Sequence, residues 1–518
     1  MLMGSRELFR RIIDLKNILI IISLIIFAVL VLGEIRAEGR RCMGIPFIME
    51  EELQEQAQNL IGTENTIYLE EKLLPYDSDR KTIYISCNVT EDTKFYNLQG
   101  QLDTDMLGYN LYFLWQEEFE HMAEAVRNGH KFLLYAVAPD GNYTFYFVVF
   151  TTLPVVEMHG EVVGMDEQER EIYSGKITVW EPSYQETGRR AVQNSKLEWH
   201  VRGFSSMSAI KKSLKLNLKE KNGNNNNLAL LGFESDDDYI LNPMWFDDVK
   251  VREKLAMDLW NQMAVEKGSS LKMSGGEYCE LIVNNSYQGL RVMQNKIERS
   301  YLKLDAEDTL LKGKNVNLGT VKPPEEVYEI VYSDQTEEVT FGTISDFFYM
   351  TDFSNVNLEE WVDLQLMLHL GNMVDNQTYK NIYYVIRRDG EKETLSFIPW
   401  DTDMSFGVYW TDEGFRLLPE TVENITYRME YEELLVQYPK LDEMLETRWR
   451  ELRKTVFSEE NIFGMLNEYY MTLDKSGAVE RDFFVLGWYS WGNEDTRAEL
   501  NAYIQRRLQI LDEHYGLE

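Results

Sequence analysis

Residues 375–407 read DNQTYKNIYYVIRRDGEKETLSFIPWDTDMSFG, from Asp375 to Gly407. Ile382 to Ile386 is a β-branched and aromatic run, Asp389-Gly390 is a turn signal, and Leu395 to Trp400 is a second apolar run. The spacing predicts a hairpin. Folding it back brings Asp375 and Asn381, which precede the first strand, close to Asp401 and Asp403, which follow the second. Four oxygen-bearing side chains at one end of a hairpin make a donor set for a hard divalent cation, magnesium rather than zinc.

Phosphoryl transfer of the protein-kinase type uses such parts in the same order: an Asp near the accepting hydroxyl, an Asn a few residues on for magnesium, a short hairpin, then a second magnesium Asp. The chain has no Gly-x-Gly-x-x-Gly and no P-loop, which excludes the phosphate loops of ordinary kinases and P-loop NTPases.

The stretch Pro399-Trp400-Asp401-Thr402-Asp403-Met404-Ser405-Phe406-Gly407, preceded by Asn372-Met373-Val374-Asp375 and Lys380-Asn381-Ile382-Tyr383, resembles the CotH family of spore-coat-protein-H-like atypical kinases. The resemblance runs from about Leu153 to the C-terminus. It implies an α+β, two-lobed, protein-kinase-like catalytic region, ATP with magnesium or manganese as cofactors, and phosphorylation of Ser or Thr in coat or cell-surface proteins. Asp375 is then the catalytic residue, Asn381 and Asp401 hold the metal, and Asp403 is a further ligand.

Upstream, Val201-Arg202-Gly203-Phe204-Ser205-Ser206 matches an Arg-Gly-x-Ser-Ser turn of the family, and Lys211 to Leu216 its Lys-rich strand. Arg202, Ser205 and Ser206 are therefore candidate cofactor-binding residues. A turn with Gly and two hydroxyls donates to phosphate oxygens, and a strand Lys adds a point charge. Alternation from Lys211 to Lys219 puts Lys212 on the face of Leu214, Leu216 and Leu218, so Lys212 is the first candidate for the nucleotide lysine and Lys215 the second. Glu280 to Met293 reads as a hairpin turning at Asn284-Asn285. Family members usually carry Glu shortly after its second strand, where this chain has Gln294, an amide that keeps a hydrogen bond and loses a charge. That departure keeps open an alternative function, a weak or inactive surface adhesin or scaffold on the same fold. Lys312 and Lys314 are minor candidates for phosphate contact.

The 518 residues are 13% aromatic, which argues for folded domains, and the formal net charge is −35. Such a charge excludes nucleic acid as a natural partner and favours a basic, Ser-rich protein substrate. Cys42, Cys87 and Cys279 are too few for a disulfide framework or a zinc site, although one pair could oxidise outside the cell. Asn17 to Leu32 is uncharged and apolar, with Arg6, Arg10, Arg11 and Lys16 ahead of it. The asymmetry predicts a cytoplasmic N-terminus over 1–16, a transmembrane or signal-anchor helix over 17–32, and an extracytoplasmic remainder, secreted if the segment is cleaved.

A spacer over 33–74 and a β-rich accessory module over 75–152 then precede the catalytic region at 153–518. In the module, Thr82–Val89, Leu111–Trp115, Phe132–Val137 and Tyr143–Phe150 read as strands, and Gln116 to Arg127 as a helix across them. Further on, Asp236 to Asp238 reads as a solvated loop and Val249 to Ala264 as a helix. Leu358 to Leu370 reads as a helix carrying a packed His369, and Leu441–Val456, the segment after Ser458, and Thr496–Tyr515 as C-terminal helices.

Overall fold

The computed structural model describes residues 41–42, 45–48, 74–89, 110–114, 122–137, 143–160, 171–182, 192–203, 209–314, 323–411, 414–486 and 496–517. The apolar run at 17–32 lies outside them. Among the described residues no helix is long and apolar enough to cross a membrane.

The N-terminal part forms one sheet from β1 (Arg41–Cys42), β2 (Ile45–Ile48), β3 (Tyr76–Asp77), β4 (Thr82–Ser86), β5 (Asn110–Leu114), β6 (Lys131–Val137) and β7 (Tyr143–Thr151). Their order is β1-β2-β5-β6-β7-β4-β3. The region expected to be a spacer thus supplies two of the strands. Helix α1 (Met122–Arg127) covers the inner face, where Met122 and Val126 pack on Ile83, Phe113, Phe132, Leu134 and Val148.

A closed barrel follows, from β8 (Val155–Gly160), β9 (Tyr173–Trp180), β10 (Val192–Arg202), β11 (Ser213–Lys219), β12 (Asp238–Asn242), β13 (Gly276–Val283) and β14 (Ser286–Asn295). Closure leaves no free edge, and the parallel pairing of β8 with β13 completes it. The β13–β14 hairpin turns through Asn284 and Asn285, both left-handed at φ 48° and 59°, a conformation that Asn tolerates best after Gly. Helix α2 (Arg252–Glu266) is inserted between β12 and β13. Asp247 fixes its start by accepting from the Val251 and Arg252 backbone N–H groups and from the buried Arg252 guanidinium.

The rest is a four-stranded sheet surrounded by helices. The sheet consists of β15 (Thr309–Gly313), β16 (Tyr328–Tyr332), β17 (Ile382–Asp389) and β18 (Lys392–Pro399), in the order β16-β15-β17-β18. The small hairpin β19 (Val408–Thr411) with β20 (Gly414–Leu417) follows it. The helices are α3 (Arg299–Leu302), α4 (Pro324–Val327), α5 (Glu337–Phe348), α6 (Leu358–Gly371), α7 (Tyr431–Gln437), α8 (Leu441–Leu452), α9 (Glu459–Ser476), α10 (Ala478–Leu486) and α11 (Arg497–His514). Mixed α+β is therefore the observed class. Ser458 caps α9 and Thr496 opens α11 with a full capping box. From Trp361 to Gly371 every residue of α6 is buried, so it is the central rod on which β18, α8 and α11 pack.

Buried polar side chains fasten the parts. Arg507 donates to the His369 carbonyl through two nitrogens, at 2.7 and 2.6 Å, and to the carbonyls of Val422 and Asn424. Between the first sheet and the barrel, Tyr84 stacks on Tyr287 with centroids 4.7 Å apart. The Tyr287 hydroxyl and the Arg481 guanidinium both donate to Glu280. Cys87 and Cys279 are buried free thiols, so neither forms the disulfide that the cysteine count allowed. Burial pushes the Cys279 thiol up to about 12.

His369 is a packed residue, as expected. Its ring meets the Tyr515 hydroxyl at 2.5 Å and the Thr426 carbonyl at 3.1 Å. Burial, with Arg507 and His514 nearby, holds its imidazole well below the ordinary value. In the unfolded chain it titrates near ~6.5, so below that pH the unfolded state takes a proton that the native state refuses. His369 by itself therefore costs stability as pH drops from 7 to 5, opposite in sign to the raised carboxyls of Glu253 and Asp236. His369→Gln should remove that loss, so that in urea unfolding the variant gains on wild type from pH 7 to pH 5. A stability difference that stays constant over this range would contradict the assignment.

Candidate active site

Helix α6 ends at Asn372, which is left-handed at φ 50° and donates to the Thr421 carbonyl and the Tyr503 hydroxyl. The chain then turns through a short 3-10 segment, Val374–Asn376, that presents Asp375. Asn376 is fully buried and donates to the carbonyls of Asn381 and Trp400, 2.9 Å each. It therefore clasps both ends of the β17–β18 hairpin, whose register pairs Ile382 with Pro399 and Asp389 with Lys392. Beneath it, buried Arg428 donates to the Asn376 carbonyl at 2.7 Å and to Glu430 at 2.6 Å. Asn381 and Asp401, just outside the two strands, are both left-handed, at φ 59° and 55°. Asn and Asp are the side chains that bear this backbone with least strain.

At this mouth, one oxygen of Asp375, Oδ2, accepts from Asn381 Nδ2 at 2.8 Å and from Lys380 Nζ at 2.5 Å. Asn381 keeps its Oδ1 out of that bond. Burial raises the carboxyl of Asp401, Arg202 and Lys312 pull it down, and Asp375 pushes it up again. Asp403 is held well above the carboxylate range by burial and then by Asp401, Glu253 and Asp375. Glu253, in the first turn of α2, is pushed up to about 7 by burial and Asp401, against the pull of Gln294, Arg202 and Asn242. The Trp400 ring carries two cations, Arg202 at 5.0 Å and Lys312 at 4.1 Å from its centroid. The carboxyls of Asp401, Asp403 and Glu253 are raised by burial and in part by neighbouring carboxylates, next to an Asn oxygen, and a divalent cation would relieve that repulsion. Oxygen-only donors suit magnesium or manganese.

The structure thus brings Asp375, Asn381, Asp401, Asp403 and Arg202 together. Gln294 reaches the site through Glu253, to which its amide donates at 3.3 Å. Lys215 is engaged elsewhere, 3.4 Å from Asp238, which Lys296 also holds at 2.5 Å. Lys212 is only half-buried, whereas Lys211 is buried. The alternation holds for Leu214, Leu216 and Leu218 but does not extend back to Lys212, because β11 begins only at Ser213. Lys211 pairs with Asp482 at 2.7 Å and donates to the Leu290 and Pro243 carbonyls, so it is a structural cation. Ser205 and Ser206 lie outside the described residues. Lys312 is at the site, while Lys314 donates to the Glu325 carbonyl.

Sequence reasoning missed Glu253. Its only signal was its place on the helix inserted between two barrel strands, where protein kinases carry an acidic partner for their nucleotide lysine. Asp236 also differs from the expected solvated loop, being buried and pushed up to about 6 by burial and Glu298. Among the described residues, Asp236, Asp237 and Glu298 form the one trio of metal-competent side chains with ligand atoms within 4.8 Å of one another.

Because Asn376 joins both ends of the hairpin, Asn376→Ala should destabilise the protein by about 1–3 kcal/mol, the usual loss when buried carbonyls forfeit their donor. Chemical denaturation measures this. A stability equal to wild type would show that the clasp is dispensable.

A family model described as CotH kinase protein matches residues 199–511, more than half of the chain. The match takes in every site residue named above and leaves out the first sheet and strands β8 and β9. No curated protein matches the chain.

Proposed function

The chain belongs to the CotH family, and from that premise we propose that it is an atypical protein kinase that transfers the γ-phosphate of ATP to Ser or Thr of a coat or cell-surface protein. The observation that carries this reading is the convergence of Asp375, Asn381, Asp401 and Asp403 at the mouth of one hairpin, facing Arg202 and Lys312. Asp401 and the Asn381 oxygen would hold magnesium, with Asp403 as a further ligand. Bound Mg-ATP supplies the phosphoryl group and offsets its charge. Lys380 and Asn381 both donate to Oδ2 of Asp375 and so fix that carboxylate, leaving Oδ1 to orient an acceptor hydroxyl and take its proton. Arg202 and Lys312, braced on Trp400, are the cations that fit phosphate oxygens in place of a glycine loop.

Glu253 bears on the departure at Gln294. A carboxylate already sits beside Gln294, so the site retains an acid where the family's usual Glu is missing. The net charge of −35 favours a basic, Ser-rich substrate by steering encounter. The apolar run at 17–32, behind its basic flank, supports a membrane-tethered protein with the catalytic region outside the cytoplasm. A second reading, an inactive adhesin or scaffold, draws on Gln294 and on the engagement of Lys211 and Lys215 in ion pairs away from the site.

Labelled ATP with magnesium and a basic Ser-rich protein tests the proposal, and absence of both ATP binding and incorporation supports the scaffold. Asp401→Asn should weaken magnesium binding, with part of the rate recovered by more magnesium or by manganese. Asp375→Asn should leave nucleotide binding nearly intact and slow transfer by about a hundredfold or more. Wild-type rates in both variants would place the chemistry elsewhere.

The lysines separate in the same assay. Lys312→Met should raise the KM for ATP, while Lys212→Met and Lys215→Met should change it little. Equal effects in all three would remove Lys312 from its assigned position.

A further inference from the structure

Antiparallel pairing of β10 with β11 runs down to Arg202 opposite Ser213, the last rung of that ladder. Arg202 is one of the two cations assigned to phosphate, and its guanidinium makes no hydrogen bond or ion pair with another described residue. It lies 5.0 Å from the centroid of the Trp400 ring, where it opposes the rise that burial imposes on the Asp401 and Glu253 carboxyls. That place is set by the backbone that carries it. The terminal rung of a ladder opens most readily, because the residues beyond it are unpaired. Holding Arg202 over the site therefore requires a hold on the other strand of its rung.

Lys211, two residues before Ser213, supplies that hold. It is buried, and its ammonium reaches three elements at once: the Leu290 carbonyl in β14 at 2.5 Å, the Pro243 carbonyl just past β12 at 3.3 Å, and Asp482 in α10 at 2.7 Å. Because the barrel order is β10-β11-β12-β14, this one side chain laces the start of β11 across β12 to β14. Asp482 completes the lacing by accepting the Leu290 N–H at 2.9 Å. Burial pushes the Lys211 ammonium down and Asp482 opposes that push, so the tether depends on the carboxylate. The carboxylate in turn has a fixed base, since the preceding residue, Arg481, grips Glu280 in β13 through two nitrogens.

We infer that Asp482 and Lys211 are positioning residues for Arg202: helix α10 fixes the barrel rim that carries this cation, and through it the affinity for the phosphate groups of the nucleotide. Both side chains are engaged with each other and with backbone groups, so they act through Arg202 and not on the nucleotide. The inference rests on the kinase reading for the role of Arg202, but not for the tether itself.

The test uses the full chain in two measurements. Asp482→Asn keeps the shape of the side chain and an oxygen for the Leu290 N–H, and loses the charge. In the ATP assay it should raise the KM for ATP by about tenfold, with kcat and the KM for the acceptor protein little changed. In an Arg202→Ala background the same substitution should add less than about twofold, because its effect passes through Arg202. A merely structural loss would add in full, and full additivity overturns the inference. Should Asp482→Asn fail to fold, Lys211→Met with Asp482→Leu, an apolar pair in place of the ionic one, gives the same readings. Hydrogen exchange without nucleotide is the second measurement and is independent of activity. Amides of His200–Arg202 and Ser213–Lys215 should exchange faster in Asp482→Asn than in wild type, and not in Ile83→Val, which removes one buried methyl group from the first sheet. Unchanged exchange at these amides, or equal acceleration in the two variants, overturns the inference. The expected exchange response in a chain that binds no ATP supports the tether and refutes the kinase reading instead, so the two failures are told apart.

Discussion

The antiparallel register of β17 with β18 is the constraint on which the site depends. Pairing Ile382 with Pro399 makes neighbours of residues far apart along the hairpin, and Asn376 locks that closeness by donating to both flanking carbonyls. A bare hairpin would splay at its open end, where each strand frays into irregular chain. Here the end is buried, and Arg428 holds the carbonyl of the clasping residue in turn. The left-handed backbones at Asn381 and Asp401 are affordable for the same reason, because fixed surroundings on both sides over-determine them.

Buried charge is used throughout this molecule where parts meet. Glu280 receives Arg481 through two nitrogens and Tyr287 through its hydroxyl, while Asp482, next in sequence, receives Lys211 and the Leu290 N–H. Such pairs gain little net stability, because desolvation offsets their attraction, but removing one partner strands the other and is costly. They act as keys. The Glu280–Arg481 pair accepts one docking of α10 against the β13–β14 hairpin, and the Tyr84 stack extends that docking to the first sheet. Gly289 makes the fit possible, since a Cβ there would sit 1.9 Å from the Asp482 carboxylate.

Much of this was legible in the sequence because it is local. The β17–β18 hairpin, the Asn284-Asn285 turn, the strands around Tyr84 and Tyr146, helix α6 and the helix starts after Ser458 and at Thr496 all announce themselves in short windows of periodicity and turn chemistry. The metal-competent residues were readable because one contiguous stretch carries them. Barrel closure was not, since the parallel pairing of β8 with β13 joins strands whose own sequences say nothing of each other. Lys211 and Lys212 exchanged places because alternation was extended two residues past the point where β11 begins. Glu253 escaped because its neighbours in space, Gln294, Asn242 and Asp401, come from three other elements.

Helix α2 connects these observations. Asp247 caps its first turn, and there Glu253 lies at the positive end of the helix dipole, where a carboxylate is favoured. One residue on, Lys254 points the other way, to the Gly276 carbonyl and to Asp258 on its own helix. Successive residues of one turn thus serve opposite neighbours: Glu253 faces Gln294, Asn242 and Asp401, whereas Lys254 ties α2 to the first residue of β13.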